Sequence, residues 1–189
     1  MKYDIHQKPS KFAERVLADF SSTLFRLLQG KTLRSITVNE LCEQARYPRA
    51  TFYNYFDDIY DLLNYVWYCM EKDIDIADYP DIEPEERIYV IFSRVYDYFV
   101  IWHERLDKVM RHNPVDGAFV QSCGRYVRGR TTEIMKSTGC DAAHGIPSEM
   151  VAEHYGNTIQ LVLEWSFLRG ASMSRDDALK CLRTLLSEL

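Results

Sequence analysis

Residues 45–56 read ARYPRATFYNYF and place two arginines and five aromatic residues in one short segment. Phe52 and Phe56 are four residues apart, so in a helix they share a face and can pack against a neighbouring helix. At 3.6 residues per turn, the small and polar residues around them then point away from the core. The outward positions are Ala50, Thr51 and Asn54, with Tyr53 and Tyr55 on the flanks.

The residues before this segment predict another short helix. Thr37-Val-Asn-Glu40 is a capping-box pattern. In such a box the Thr hydroxyl accepts from the amide three residues on, and the Glu side chain reaches back. The chain then breaks at residues 46–47, and Pro48 suits the first turn of a third helix that we expect to end near Phe56. A short helix, a tight break and a second short helix form a helix-turn-helix unit.

Apolar residues recur at helical spacing along nearly the whole chain, and strand-like alternation is scarce. A first helix is predicted over residues 10–29, and Asp57 and Asp58 are candidate N-caps for a fourth helix. The predicted fold class is therefore all-α. The further helices are expected over residues 59–76, 85–112, 117–137, 148–169 and 174–189, with loops at residues 78–87 and 138–147.

Charge is distributed unevenly along the 189 residues, whose formal net charge is −5. Residues 1–56 carry nine Lys and Arg against five Asp and Glu, a balance of +4, and residues 57–189 carry the remaining −9. This basic N-terminal region, followed by an acidic C-terminal region, indicates that only residues 1–56 have a polyanionic partner.

Composition and cysteine usage favour a cytoplasmic globular protein. The chain is 47% hydrophobic and 27% charged, with no apolar run long enough to span a membrane and no apolar core of an export signal near Met1. The five cysteines are scattered without a C-x-x-C pair, which predicts reduced thiols rather than a disulfide framework or a zinc site. These cysteines are Cys42, Cys69, Cys123, Cys140 and Cys181.

Each outward-facing residue type of the third helix could make a particular contact with DNA. Arg49, in the first turn, can grip guanine with two hydrogen bonds, and Ala50 permits close approach and contact with a thymine methyl group. Threonine and tyrosine hydroxyls can donate to phosphate oxygens. The alternative is that these aromatic residues are simply the core of a helical bundle. Together with Asn54, however, they span a wide arc for burial on one short helix.

Residues 36–63, ITVNELCEQARYPRATFYNYFDDIYDLL, resemble the DNA-binding domain of the TetR/AcrR family of bacterial regulators. Residues 51–56 match the recognition-helix pattern Thr-aromatic-Tyr-x-Tyr/His-Phe, and the resemblance extends over residues 10 to about 70. It implies an all-α homodimer with a DNA-binding domain, here residues 1–57, and a regulatory and dimerisation domain, here residues 58–189.

The resemblance also assigns roles by position. Arg49 and Ala50 would read bases of double-stranded operator DNA beside the exposed Asn54. The hydroxyl-bearing residues would hold phosphates; these are Thr37, Thr51, Tyr53 and Tyr55.

Three positions depart from the family pattern. Arg46 stands where the family has a turn glycine, and Pro48 stands where a Ser or Thr usually caps the recognition helix. Ile59 replaces a lysine that commonly holds phosphate, directly after Asp57 and Asp58. Ile59 and Arg46 favour an alternative function, a TetR-like co-regulator with weakened DNA contacts that acts through protein partners.

The C-terminal body offers a dimer surface and a candidate ligand pocket. Residues 148–189 resemble the dimerising helix pair of the family, with small residues on one helix and a leucine stripe on the other. Aromatic residues at helical spacing could line a pocket for an effector or simply form core. The candidates are Trp67, Tyr96, Phe99, Trp102, His103 and Tyr126.

Motifs for catalysis or cofactors are absent from the sequence. No G-x-S-x-G, P-loop or glycine-rich dinucleotide fingerprint occurs, so an enzyme is not expected, and no cofactor is predicted. Glu149, Glu153 and His154 lack the second histidine or cysteine that would complete a metal site, so no metal is predicted. Besides the co-regulator, an all-α enzyme or a small-molecule carrier remains a second alternative to a DNA-binding regulator.

The sequence thus predicts a cytoplasmic, homodimeric TetR-like transcriptional regulator, a repressor rather than an activator. An unidentified small-molecule effector or protein partner would act on the C-terminal body and shift the fourth helix. That shift would change the spacing of the two recognition helices on operator DNA.

Overall fold

The computed structural model describes residues 9–74, 81–137, 146–169 and 173–187, and within these ranges it contains helices and no strand. The predicted all-α class is confirmed. The helices are α1 (Lys11–Leu28), α2 (Val38–Ala45), α3 (Arg49–Tyr53), α4 (Ile59–Ile74), α5 (Arg87–Met110), α6 (Ala118–Ser137), α7 (Ser148–Phe167) and α8 (Arg175–Leu186), with a 3₁₀ turn at Leu33–Ser35 between α1 and α2.

Hydroxyl caps begin three of these helices, because the first amides of a helix have no intrahelical acceptor. Ser10, Thr37 and Ser174 each accept a backbone N–H three residues on, at 3.2 Å. The predicted capping box at Thr37 forms only in part. The Glu40 carboxylate accepts from the Lys31 ammonium at 2.6 Å, so the structure gives this carboxylate a partner other than the Thr37 amide.

The third helix is shorter than the sequence predicts, since α3 ends at Tyr53 rather than near Phe56. The backbone continues for part of a turn, with the Phe56 amide donating to the Phe52 carbonyl at 3.0 Å. A new helix begins directly afterwards, because the Asp58 carboxylate accepts from the Asp61 amide at 2.8 Å. Pro48 is the N-cap of α3, with extended backbone (φ −60°, ψ 148°), and lies just before the first turn in which it was expected.

The described residues fall into two compact units that are not contiguous in sequence. The first contains residues up to 70 together with residues 108–122, and the second contains residues 71–107 and those from 123 onward. α4, α5 and α6 each contribute residues to both units. The predicted domain boundary after residue 57 therefore lies within the first unit.

The first unit has a core built on the apolar face of α1, which is buried. Trp67 of α4 lies in this core, with its ring 5.2 Å from that of Phe119 and its indole N–H donating to the Ser122 hydroxyl at 3.2 Å. The other fully buried large side chains of the unit include Val16, Leu17, Phe20, Leu24, Leu28, Leu41, Phe52, Phe56, Leu62 and Leu63.

Asn113, in the loop after α5, joins that loop to the end of α1. Its side-chain oxygen accepts from the Leu33 amide at 2.8 Å. Its side-chain nitrogen lies 3.2 Å from the carbonyl oxygens of Leu28 and Lys31 and 3.0 Å from that of Val109. Asn113 is only 2% exposed, so one buried amide satisfies backbone groups from two distant segments.

The second unit has its own core, in which α5 packs with α7 and α8. The Tyr96 hydroxyl donates to the Met173 carbonyl at 2.5 Å. Arg183 of α8 is paired with Glu86 at 2.6 Å, and its guanidinium lies 3.9 Å from the ring centre of Tyr89. The buried members of this core are Phe92, Tyr96, Val162, Leu163, Ala178, Leu182 and Leu186.

Within the described residues, no helix has the length and hydropathy needed to cross a lipid bilayer. Among the described residues, Cys42, Cys69, Cys123 and Cys181 are not joined in disulfide bonds, and Cys140 lies outside the described residues. The predicted end of the fourth helix at residue 76, most of the loop at residues 138–147 and the last two residues of the eighth helix also lie outside them.

Replacing Asn113 by Ala should lower the free energy of unfolding by about 2–4 kcal/mol, because the Leu33 amide and nearby carbonyls are left buried without partners. Urea denaturation followed by circular dichroism measures the loss. Asn64→Ala, on the exposed side of α4, is the matched control and should change stability by less than about 0.5 kcal/mol. Equal, small effects of both substitutions would contradict the bridging role of Asn113.

Candidate nucleic-acid interface

Aromatic packing fixes the orientation of α3. Phe52 and Phe56 are both fully buried, with ring centres 5.5 Å apart, as the spacing predicts. The Phe52 ring meets Phe20 of α1 edge-on at 5.4 Å, and the Phe56 ring lies 5.8 Å from Tyr65 of α4. Since five residues are too few to form a stable helix alone, these contacts with α1 and α4 hold α3 in place.

The opposite side of α3 faces outward. Arg49, Ala50 and Asn54 are exposed, while Thr51 is half-buried. The flanking side chains Tyr53 and Tyr55 are also half-buried. The predicted DNA-binding residues from Arg49 to Tyr55 therefore all keep solvent-exposed surface.

Arg49 is already engaged within its own helix. Its guanidinium lies 3.3 Å from the Tyr53 hydroxyl and 5.7 Å from the centre of the Tyr53 ring. The two residues are four apart on an exposed face, where such a pair stabilises a helix by only a few tenths of a kcal/mol. The contact orders both side chains and is weak enough to be exchanged for a contact with another molecule.

Tyr47 anchors the break between α2 and α3 and was not among the residues singled out from the sequence. Its hydroxyl donates to the Asp19 carboxylate at 2.8 Å, and its ring lies 5.4 Å from Phe20. The hydrogen bond to Asp19, aided by loss of solvent, raises the pKa of Tyr47 above its ordinary value. Local sequence gave no signal for this partner, which is 28 residues away.

Arg46 closes α2 in the left-handed conformation, with φ 60° and ψ 38°. The conformation lets the Tyr47 amide donate to the Cys42 carbonyl at 3.0 Å, as in a common helix C-terminal motif. For a residue with a Cβ, this backbone geometry costs about 1 kcal/mol relative to glycine. The turn between α2 and α3 thus has the backbone conformation that a glycine usually adopts, although an arginine occupies the position.

The start of α4 is acidic. Asp57 and Asp58 are exposed, and the Asp61 carboxylate accepts from the Asp57 amide at 3.0 Å. Ile59 is 6% exposed, so it belongs to the core and provides no cation at this point. Thr37, the remaining predicted phosphate contact, is exposed, and its hydroxyl caps α2.

The predicted pocket residues lie in different surroundings. Trp67 belongs to the first unit. In the second, the Tyr96 and Phe99 rings both pack against Phe167, at 4.8 Å and 5.5 Å. Trp102 stacks on Tyr98 at 5.7 Å.

Two other pocket candidates have polar neighbours. His103 is exposed, with its ring nitrogen 3.4 Å from the Asp107 carboxylate. Tyr126 instead joins a charged cluster, described next.

A charged cluster in the second unit, Glu71–Tyr126–Arg130, holds the end of α4. The Tyr126 hydroxyl donates to the Glu71 carboxylate at 2.5 Å, and Arg130 binds both oxygens of that carboxylate at 2.7–2.8 Å. Burial, reinforced by the Glu71 carboxylate, raises the pKa of Tyr126 far above its ordinary range. Bidentate pairs of this kind are strong and directional.

The described part of the chain shows few features of a catalytic or metal-binding site. Burial, reinforced by Glu164, raises the pKa of the Cys123 thiol to about 12, which leaves it protonated and a poor nucleophile. Burial likewise raises the pKa of Cys42. Among the described residues, no three His, Cys, Asp or Glu side chains are grouped closely enough to hold a metal ion.

Solved structures share this architecture. A TetR-family transcriptional regulator from Syntrophomonas wolfei covers 93% of this chain and 95% of its own, at 16% identity and a TM-score of 0.63. The fatty acid degradation regulator FadR from Bacillus halodurans covers 95% of this chain and 94% of its own, at 10% identity and a TM-score of 0.57. A TetR-family regulator from Streptomyces coelicolor covers 92% and 80%, at 16% identity and a TM-score of 0.51.

No family model and no curated protein matches the sequence. The chain has the fold of TetR-family transcriptional regulators, as the resemblance of residues 36–63 predicted.

Phe52→Ala should lower the free energy of unfolding by about 3–5 kcal/mol, because it removes a fully buried ring from the contact between α3 and α1. The neighbouring substitution Tyr53→Ala removes a half-exposed ring and should have a much smaller effect. Thermal and urea unfolding of the two variants measure the difference. Similar losses would mean that α3 does not present its Tyr53 side to solvent.

Proposed function

We propose that this chain is a TetR-type transcriptional regulator that binds operator DNA as a dimer and represses transcription in the cytoplasm. The observation that carries the proposal is the inward packing of Phe52 and Phe56, which leaves Ala50 and Asn54 on the solvent-facing side of α3, beside the exposed Arg49 of its first turn. An exposed short helix that follows a tight break is the element that enters the major groove in helix-turn-helix proteins.

The exposed face of α3 has the chemistry of such a contact. Arg49 would bind guanine and Ala50 would lie against a thymine methyl group. Phosphate contacts would come from the hydroxyls of Thr37, Thr51, Tyr53 and Tyr55. Because Tyr53 also holds Arg49 in the free protein, the two residues would engage DNA together.

Arg49→Ala should lower affinity for the preferred operator by about 1–3 kcal/mol and relax the choice of base at one position. Selection from randomised duplexes identifies the operator, and anisotropy titrations on single-base variants measure the discrimination. Arg26→Ala, an exposed cation of α1, controls for the loss of one charge. A loss from Arg49→Ala that is equal on all sequences would show that Arg49 touches phosphate only.

Exposed apolar side chains on α7 and α8 support dimerisation through residues 148–189. Met150, Leu161 and Trp165 of α7 are 61%, 43% and 48% exposed, and Leu185 of α8 is 49% exposed. Leu161 and Trp165 are one turn apart, so they present a continuous apolar strip. Large apolar strips on a protein surface are typical of interfaces, and two recognition helices need a dimer to reach successive half-sites.

Leu161→Glu should weaken the dimer about a hundredfold or more, because an unpaired carboxylate would be buried at the interface. Sedimentation equilibrium over a range of protein concentrations measures the dissociation constant. Ile101→Glu is the matched control, since Ile101 of α5 is 79% exposed and lies outside the proposed interface. Equal weakening by both variants, or by neither, would contradict dimerisation through α7 and α8.

The Glu71–Tyr126–Arg130 cluster supports a route for regulation. Glu71 belongs to α4, and α4 also carries residues of the first unit, which contains α3. A small-molecule effector or protein partner that competed for Arg130 would release this end of α4. A shift of α4 would then alter the spacing of the two recognition helices and lower affinity for the operator.

A second candidate is a TetR-like co-regulator that acts through protein partners. The exposed Asp57 and Asp58 and the buried Ile59 favour it, because acidic groups near the phosphate backbone oppose binding. The salt dependence of duplex binding separates the two functions. A DNA-binding regulator loses affinity steeply between about 50 and 200 mM salt, whereas a partner-dependent co-regulator shows weak binding throughout.

A further inference from the structure

Arg46 is the only non-glycine residue with positive φ within the described ranges of the chain. The turn requires this conformation, because it lets the amides of Arg46 and Tyr47 bond to carbonyls at the end of α2. Glycine would form the same turn without crowding of a Cβ against the backbone. The backbone therefore gives no reason for an arginine at this position.

The fold does not use the Arg46 side chain either. The side chain is exposed, and its guanidinium has no hydrogen bond or ion pair with any described residue. Strained residues that the packing does not explain occur preferentially at functional sites. Arg46 thus combines a strained backbone with an exposed guanidinium that has no hydrogen bond or ion pair with any described residue.

The position of Arg46 relative to α3 indicates what this cation would meet. Arg46 precedes Arg49 by three positions, so their Cα atoms lie within about 11 Å of each other. The major groove is about 12 Å wide and is bordered by phosphates on both sides. With Arg49 over the base edges, Arg46 would lie at the rim of the groove, where the negative charge of the backbone is concentrated.

Two other basic groups of the first unit are engaged by other residues. The Lys31 ammonium is paired with Glu40, and Arg49 is held by Tyr53. The exposed Asp57 and Asp58 add negative charge at the start of α4. A free cation directly before α3 would offset that charge at the point where DNA approaches.

We propose that Arg46 binds a backbone phosphate of DNA and that its electrostatic contribution to binding compensates for its strained conformation. The proposal deepens the DNA-binding function above and rests on it. The proposal makes a distinctive prediction, because Arg46→Gly should stabilise the fold and at the same time weaken DNA binding.

The test uses three variants of the full chain. Arg46→Gly removes the strain and the charge. Arg46→Asn removes the charge in a residue type that tolerates the left-handed region, and Arg46→Lys keeps the charge. The probe is a fluorescein-labelled duplex of mixed sequence, titrated by anisotropy from about 50 to 200 mM salt. Thermal unfolding is followed in parallel.

For Arg46→Gly we expect a melting temperature higher by about 2–4 °C. The same variant should bind the duplex roughly tenfold more weakly at low salt, with a slope of log affinity against log salt that is smaller by about 1. Arg46→Asn should lose the same share of the slope, and Arg46→Lys should retain it.

The possible outcomes distinguish a failure of this inference about Arg46 from a failure of the proposed DNA-binding function. If the wild-type chain binds the duplex with steep salt dependence and the Gly and Asn variants keep its full slope, Arg46 is not a phosphate contact, and DNA binding stands. A wild-type chain that binds no duplex at low salt would overturn the proposed function together with this inference. A lower melting temperature for Arg46→Gly would refute the strain argument.

Discussion

The packing of two phenylalanine rings between α1 and α4 is the constraint on which the rest of the surface depends. α3 has five residues, so hydrogen bonding within it cannot fix its orientation. Phe52 and Phe56 do so by filling a site beside Phe20 and Tyr65. Once these rings are buried, the outward direction of Ala50 and Asn54 follows from helical geometry.

Features governed by short sequence separations were predictable. The inward phenylalanines, the hydroxyl cap at Thr37 and the N-cap at Asp58 are confirmed. Each depends on residues within about one helical turn, where spacing and side-chain chemistry determine the contacts. For the same reason the all-α class followed from periodicity over the whole chain.

Contacts between distant residues could not be predicted from the sequence. Asn113 reaches Leu33 across 80 residues, and Arg130 reaches Glu71 across 59. Periodicity identifies which face of a helix is apolar, but it does not identify the polar residue that faces a particular backbone group. The sequence also placed the end of α3 near Phe56 rather than at Tyr53, although the cap at Asp58 that begins α4 was predicted.

The contact between Arg49 and Tyr53 in the free protein has a consequence for selectivity. A guanidinium that already has a hydroxyl and an aromatic ring as neighbours gives these up, at least in part, when it grips a base. If Arg49 grips a base as proposed, recognition would be an exchange of partners, and only a base that replaced both interactions would yield a net gain. On a mismatched sequence the arginine would fold back onto the tyrosine, so the free state would compete with every imperfect site along a genome.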